Sequence, residues 1–166
     1  MRVPAVRCEC TSAIRVGTRS PGWEYPLGWR AGDNIDGMNR IVAPPSIAAP
    51  AAYYAHAIVT EHVSRWLHTS GVVPTHVDGT VPATIEAQAE VVWANLLAIL
   101  HEAEFEASDV VSVTTYVVVD QLSALPAVMA ARDHALGDHR AASTLVTVSA
   151  LARPEWKMEI ALIAAR

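Results

Sequence analysis

Residues 80–100, Thr-Val-Pro-Ala-Thr-Ile-Glu-Ala-Gln-Ala-Glu-Val-Val-Trp-Ala-Asn-Leu-Leu-Ala-Ile-Leu, decide the class of fold. Ile85, Ala89, Val92, Leu96 and Ile99 recur at the three-and-four spacing of one helix face, and Glu86, Glu90 and Glu102 lie off that stripe. Thr80 is placed as the N-cap, with Pro82 tolerated in the first turn. Gln88 and Asn95 fall on the apolar side, and amides there need partners inside the protein. Ties to neighbouring loops are the expectation for both.

The stretch that follows completes the pattern. Val110–Val119 holds six valines beside Thr114, Thr115 and Tyr116, which reads as a strand covered on both faces. Asp120 or Ser123 is expected to cap a second helix running to about Leu136, with Gly137 as its stop signal. Ser143–Ala150 and Met158–Ala164 read as two final strands, with Trp156 beside Pro154 at the end of the hairpin between them. On the N-terminal side, Asn39–Val42 is a short strand followed by a loop through Pro44, Pro45 and Pro50. His56–Thr60 and Arg65–Thr69 are short apolar runs separated by Glu-His-Val-Ser, the pattern of a hairpin. The order is β-β-β-α-β-α-β-β, an α+β fold in which two helices cover one face of a mixed sheet.

Composition narrows the function. Hydrophobic residues make up 52% of the 166 and charged residues 17%, an apolar balance that suggests a subunit interface. A membrane span is excluded, because Val81–Leu100 is interrupted by Glu86, Gln88, Glu90 and Asn95. A net charge of -5 without a basic cluster argues against nucleic acid. Cys8 and Cys10 are too few and wrongly spaced for a zinc site or a disulfide framework, and they fit a reducing cytoplasm. The histidines at 56, 62, 68, 76, 101, 134 and 139 show no metal-ligand spacing with an acidic partner, so no metal is expected. Residues 1–37 carry five of the eight glycines, five arginines and no apolar periodicity. They read as an N-terminal extension that is disordered or not translated, ahead of a domain at 38–166.

Several local sequences resemble the Rid family, the YjgF-type reactive-intermediate (enamine/imine) deaminases, from about Ile41 to the C-terminus. They are Pro-Ala-Ala-Tyr-Tyr-Ala-His-Ala at 50–57, His-Thr-Ser-Gly-Val-Val-Pro at 68–74, and the helix with Gln88 and Asn95. Ala-Ser-Thr-Leu-Val-Thr-Val-Ser-Ala-Leu at 142–151 and Met-Glu-Ile-Ala-Leu-Ile-Ala at 158–164 complete the set. The resemblance implies a chorismate-mutase-like Rid fold and a homotrimer with ligand clefts between subunits. It also implies cofactor-independent hydrolysis of a 2-imino acid, or its enamine, to a keto acid and ammonia. On this pattern the backbone carbonyl of Leu145 and Ser143 take the catalytic positions. Tyr54, Ser70 and Gly71 line the substrate site, and Arg140, three residues before Ser143, is a further substrate-binding candidate if the loop before the strand bends.

The sequence departs from the family at three points. Ser143 stands where the family's carboxylate-binding arginine is expected, and Ala161 where a late glutamate is expected. The asparagine usual in the second helix has no counterpart around Leu125–Val128. A hydroxyl cannot replace a bidentate, charged clamp. The expected substrate is therefore a small reactive metabolite other than an ordinary 2-imino acid. The alternative reading is a non-catalytic trimeric binding protein that uses the same intersubunit cleft.

Overall fold

The computed structural model describes residues 34–35 and 39–166. Both cysteines and most of the segment 1–37 lie outside the described residues. Strand β1 (Asn34–Ile35) pairs antiparallel with β2 (Asn39–Val42).

Helix α1 runs Ile85–Glu102. Its cap is Thr84, whose hydroxyl accepts the Ala87 amide, and not Thr80. Thr80 is engaged one turn earlier, donating its amide and hydroxyl to Asp78 Oδ1 at 2.9 and 2.7 Å. The Asp78 carboxylate thus holds Thr80 in a turn with Gly79 at φ +85, and the helix starts after Pro82. The buried stripe of α1 includes Ile85, Ala89, Val92 and Leu96, as its spacing predicts, but Ile99 is 37% exposed and Leu100 takes the last core position instead.

Gln88 and Asn95 make the loop ties expected of them. Gln88 is fully buried, donates to the carbonyls of Pro82 and Glu155, and accepts the Lys157 amide, each at 2.8 Å. Asn95 donates to the Thr75 carbonyl at 3.0 Å.

Strand β5 (Val110–Val118) lies between β6 (Ala142–Val148), its parallel neighbour, and β7 (Met158–Ala165), its antiparallel neighbour. With β4 (Trp66–His68) beyond β7, the mixed sheet has the order β4-β7-β5-β6. Because β5 separates β6 from β7, the last two strands form no hairpin, and Trp156 sits in a crossover loop beneath Arg153.

The apolar runs around residues 56–69 form no hairpin with each other either. β3 (Ala57–Thr60) pairs with β2, and β4 pairs with β7. His62 adopts φ +57 in the connecting segment, and Ser64 and Arg65 both donate their amides to the Arg166 carbonyl, so the chain passes from one sheet to the other.

A bulge at Val111 lets both Val110 and Val113 face the core. Beyond it, Val113, Thr115 and Val117 point toward the helices, and α2 (Leu125–Leu136) packs beside α1. A short 3-10 turn at Val119–Ala124 precedes α2. Ala124 precedes the first helical residue with no side-chain cap, so neither Asp120 nor Ser123 caps it; Pro126 supplies the pre-set first turn. Gly137, at φ +59, ends it as expected.

The reverse face of the sheet has no covering layer among the described residues, in contrast to the strand enclosed on both sides that the valines suggest. Val146, Tyr116 and Glu159 form one row across it, and Thr144, Thr114 and Ala161 the next. Val146 is 41% exposed there.

His139 locks the loop after α2 onto the start of β5. It is buried, and one ring nitrogen lies 2.6 Å from the Val110 carbonyl. A carbonyl only accepts, so Nε2 carries the hydrogen; Nδ1 is buried without a partner among the described residues. Burial holds the His139 pKa below its ordinary 6.5, against the opposing pull of the Val110 bond and Asp109. The unfolded chain takes up this proton near 6.5 and the folded chain resists it. Its contribution is therefore present above that pH and lost as the pH falls through the lowered value. The urea midpoint is expected to fall below pH 6.5 in the native protein, and to fall less in His139→Gln. Equal losses in the two proteins would show that His139 is not the cause.

Candidate functional site

Backbone groups alternate sides along a strand. The Ala55 amide donates to the Ala141 carbonyl at 3.0 Å, on the side of β6 away from β5. The β5–β6 register is unbroken, so the Ser143 and Leu145 carbonyls face that same side. β6 is an edge strand, and beyond Ala55 nothing among the described residues borders it there. The Leu145 carbonyl is thus an acceptor presented at an open edge.

The side chains of Ser143 and Leu145 share the helix-side face with Val113 and Thr115. Leu145 is 37% exposed, because the helix layer does not extend over β6 at that point. Tyr54 precedes Ala55, so the bridge to Ala142 places it beside the same edge. Arg140 stacks on the Tyr53 ring at 4.1 Å from its centroid, and the Tyr53 hydroxyl donates to the Asp138 carbonyl. This fixes Arg140 at the entrance to β6.

One residue at this edge escaped the sequence reading. Val128, Arg132 and Leu136 are the buried positions of α2, at intervals of four, so Arg132 lies on the helix's inward stripe. Its guanidinium donates through Nη1 to Ser143 Oγ at 3.2 Å and through Nη2 to the Tyr53 carbonyl at 3.1 Å. Nε and Nη2 also donate to Asp133 Oδ1, at 2.9 and 2.6 Å. A charged residue at helical spacing with two core residues was the available signal. Ser143 Oγ therefore accepts from a cation, which draws electron density from it and makes it a weak nucleophile and a better donor.

Ser70 and Gly71 lie elsewhere. The Thr69 and Val72 amides donate to the Leu162 and Ile160 carbonyls, which places the segment along the outer edge of β7. Two strand spacings, roughly 10 Å, separate β7 from β6. A Cβ on Gly71 would sit 1.6 Å from Glu159 Oε1, so the glycine leaves room for that carboxylate on the uncovered sheet face. One protomer thus brings Tyr54, Ser143, Leu145 and Arg140 together at β6, and places Ser70 and Gly71 on the far side of the sheet.

A shallow pocket at the other end of β5, lined by residues including Val118, Asp120, Arg153, Trp156 and Lys157, shares no residue with these candidates. Among the described residues no three His, Cys, Asp or Glu side chains are grouped as a metal site. No helix among them is long and apolar enough to cross a membrane.

The family model Endoribonuclease L-PSP (Ribonuc_L-PSP) matches residues 45–166. The chain belongs to this family. Solved structures of Rid and YjgF proteins are similar to it. A Rid protein of unknown function, YyfB from Yersinia pestis, is 30% identical over 78% of this chain and 99% of its own, with a TM-score of 0.70. The YjgF gene product of E. coli is 28% identical over 76% of this chain and 98% of its own, with a TM-score of 0.56. RidA from an Antarctic Psychrobacter, at 24% identity and a TM-score of 0.58, covers 71% of this chain and 92% of its own and shares the fold. No curated protein is significantly similar to the chain. The α+β architecture with two helices on one face of a mixed sheet is that of these Rid relatives.

Proposed function

We propose that this Rid-type protein is a cofactor-independent hydrolase of small imines or enamines, working in clefts between the subunits of a homotrimer. The observation that carries this reading is the Leu145 carbonyl, presented at an unpaired edge beside Ser143. A water there hydrogen-bonds to the carbonyl and adds its oxygen to the C=N carbon while a proton of the water passes to the imine nitrogen. The carbinolamine then releases ammonia as its hydroxyl proton moves to nitrogen and the C=O bond forms. No redox step is involved, so no cofactor is required.

The separation of the candidates supports a site between protomers. Ser70 and Gly71 of one copy reach Ser143 and Leu145 only if a second copy docks, since β5 and β7 intervene within one chain. The uncovered sheet face, with Val146, Tyr116 and Ile163, supplies apolar area for that docking. A net charge of -5 and an ion-paired Arg132 favour a small molecule over nucleic acid, and the cysteine usage suits the cytoplasm. The extension at 1–37 is taken as dispensable for this activity.

Imines generated in situ from a panel of amino acids and amino-acid amides test the reading. Ammonia release above the spontaneous rate is expected for at least one of them, and it should fall when bulk is placed at the Ser70–Gly71 edge by Gly71→Val. Saturable binding without accelerated hydrolysis of any imine would favour the non-catalytic binding protein instead.

A further inference from the structure

Arg132 is the least expected residue at the β6 edge. Its side chain is nine-tenths buried, yet it ends on Ser143, the position where the family resemblance places a cation of the strand itself. The guanidinium has five N–H donors, and four are used: two on Asp133, one on the Tyr53 carbonyl and one on Ser143. The Asp133 carboxylate at 2.6 Å cancels its charge locally. The Ser143 oxygen is occupied as an acceptor, so the hydroxyl hydrogen must point elsewhere, and it has no acceptor among the described residues. Arg132 and Ser143 together offer two hydrogen-bond donors, the Ser143 hydroxyl and the remaining Nη1 hydrogen, and the guanidinium charge behind them is balanced by Asp133.

We infer that this donor pair reads an uncharged acceptor, a carboxamide oxygen, in preference to a carboxylate. The inference rests on the proposed ligand cleft at β6 and names its substrate class. A carboxylate entering the cleft must shed its hydration. It gains no net positive charge from the ion-paired Arg132, and the Asp133 oxygens stand one residue away. A neutral carbonyl oxygen sheds much less water and takes the same two hydrogen bonds. Arg132 acts here as a positioning residue, since it sets the direction of the Ser143 hydroxyl as well as sharing the acceptor.

Pyruvate and pyruvamide differ only in this group and are stable, so they serve as the probes, with affinity read by calorimetry or ligand-observed NMR on the full chain. The native protein is expected to bind pyruvamide about tenfold more tightly than pyruvate, as befits one uncompensated desolvated group. Asp133→Asn uncovers the guanidinium charge while keeping a polar partner of the same shape. It should raise pyruvate affinity about tenfold and erase the preference. A merely structural Arg132 would leave the ratio of the two affinities unchanged in that variant. Ser143→Ala removes the principal donor without touching the ion pair and should weaken pyruvamide more than pyruvate, which keeps the question open to test if Asp133→Asn folds poorly. Tighter binding of pyruvate by the native protein, or a preference unmoved by both substitutions, overturns the inference and leaves the cleft reading standing. Failure of both probes to bind any variant removes the cleft reading, and this inference with it.

Discussion

Gln88→Leu is expected to lower the unfolding free energy by about 3–4 kcal/mol, a large share of the roughly 5–15 kcal/mol that holds a domain together. Leucine matches glutamine in size and suits the apolar stripe of α1, so hydrophobicity alone would favour the change. The loss comes from what Gln88 holds. Its amide satisfies the carbonyls of Pro82 and Glu155 and the amide of Lys157. Each backbone group left unpaired costs about 1–3 kcal/mol, with the lower figure fitting groups that water partly reaches. Pro82 and Glu155 are near the surface and recover some of that; Lys157, entering β7, recovers less. Urea denaturation measures the loss. Asn95→Ala, which removes one bond to the Thr75 carbonyl, is the matched comparison and should cost about 1 kcal/mol. A change below that in Gln88→Leu would mean that the loops relax to new partners.

The same residue shows what is legible in the sequence itself. Gln88 and Asn95 sit at helical spacing among apolar residues, and an amide in such a place has to bond to backbone nearby. The elements themselves follow from periodicity and from stop signals such as Gly137. Strand pairing does not. A period of two says which face a residue occupies, never which strand lies beside it. The runs around 56–69 therefore read as a hairpin, although the Arg166 carbonyl and His62 carry them into different sheets. The site divides in the same way. Ser143 and the Leu145 carbonyl could be placed by motif. Arg132 is placed by no motif; its spacing of four from Val128 and Leu136 is the signal, but an arginine in a helix is ordinarily solvent-facing, and the fold shows that this stripe turns inward to end on Ser143.

The uncovered sheet face carries the other large effect. Val146→Asp is expected to convert the proposed trimer to monomer at micromolar concentration, as read by sedimentation or light scattering. Val146 lies on the edge strand, in one row with Tyr116 and Glu159. If a second copy covers this face, an aspartate there is buried without a cation, three times per trimer, beside the carboxylate that Glu159 already places on the row. Neither the row nor its neighbour, Thr144, Thr114 and Ala161, contains a lysine or arginine to neutralise it. An unpaired charge in an interface costs several kcal/mol, which at one per subunit exceeds what a standard-sized contact retains as net affinity. The protomer itself should be spared, since Val146 is 41% exposed within it and its strand is held by the β5 ladder; an unchanged far-ultraviolet spectrum checks this. Val77→Asp, at a fully exposed loop position, is the control and should leave assembly intact. Ammonia release should disappear with the trimer in Val146→Asp, because Ser70 and Gly71 then no longer meet Ser143 and Leu145. A monomer that kept full activity would place the whole site within one chain, at the open edge of β6 alone.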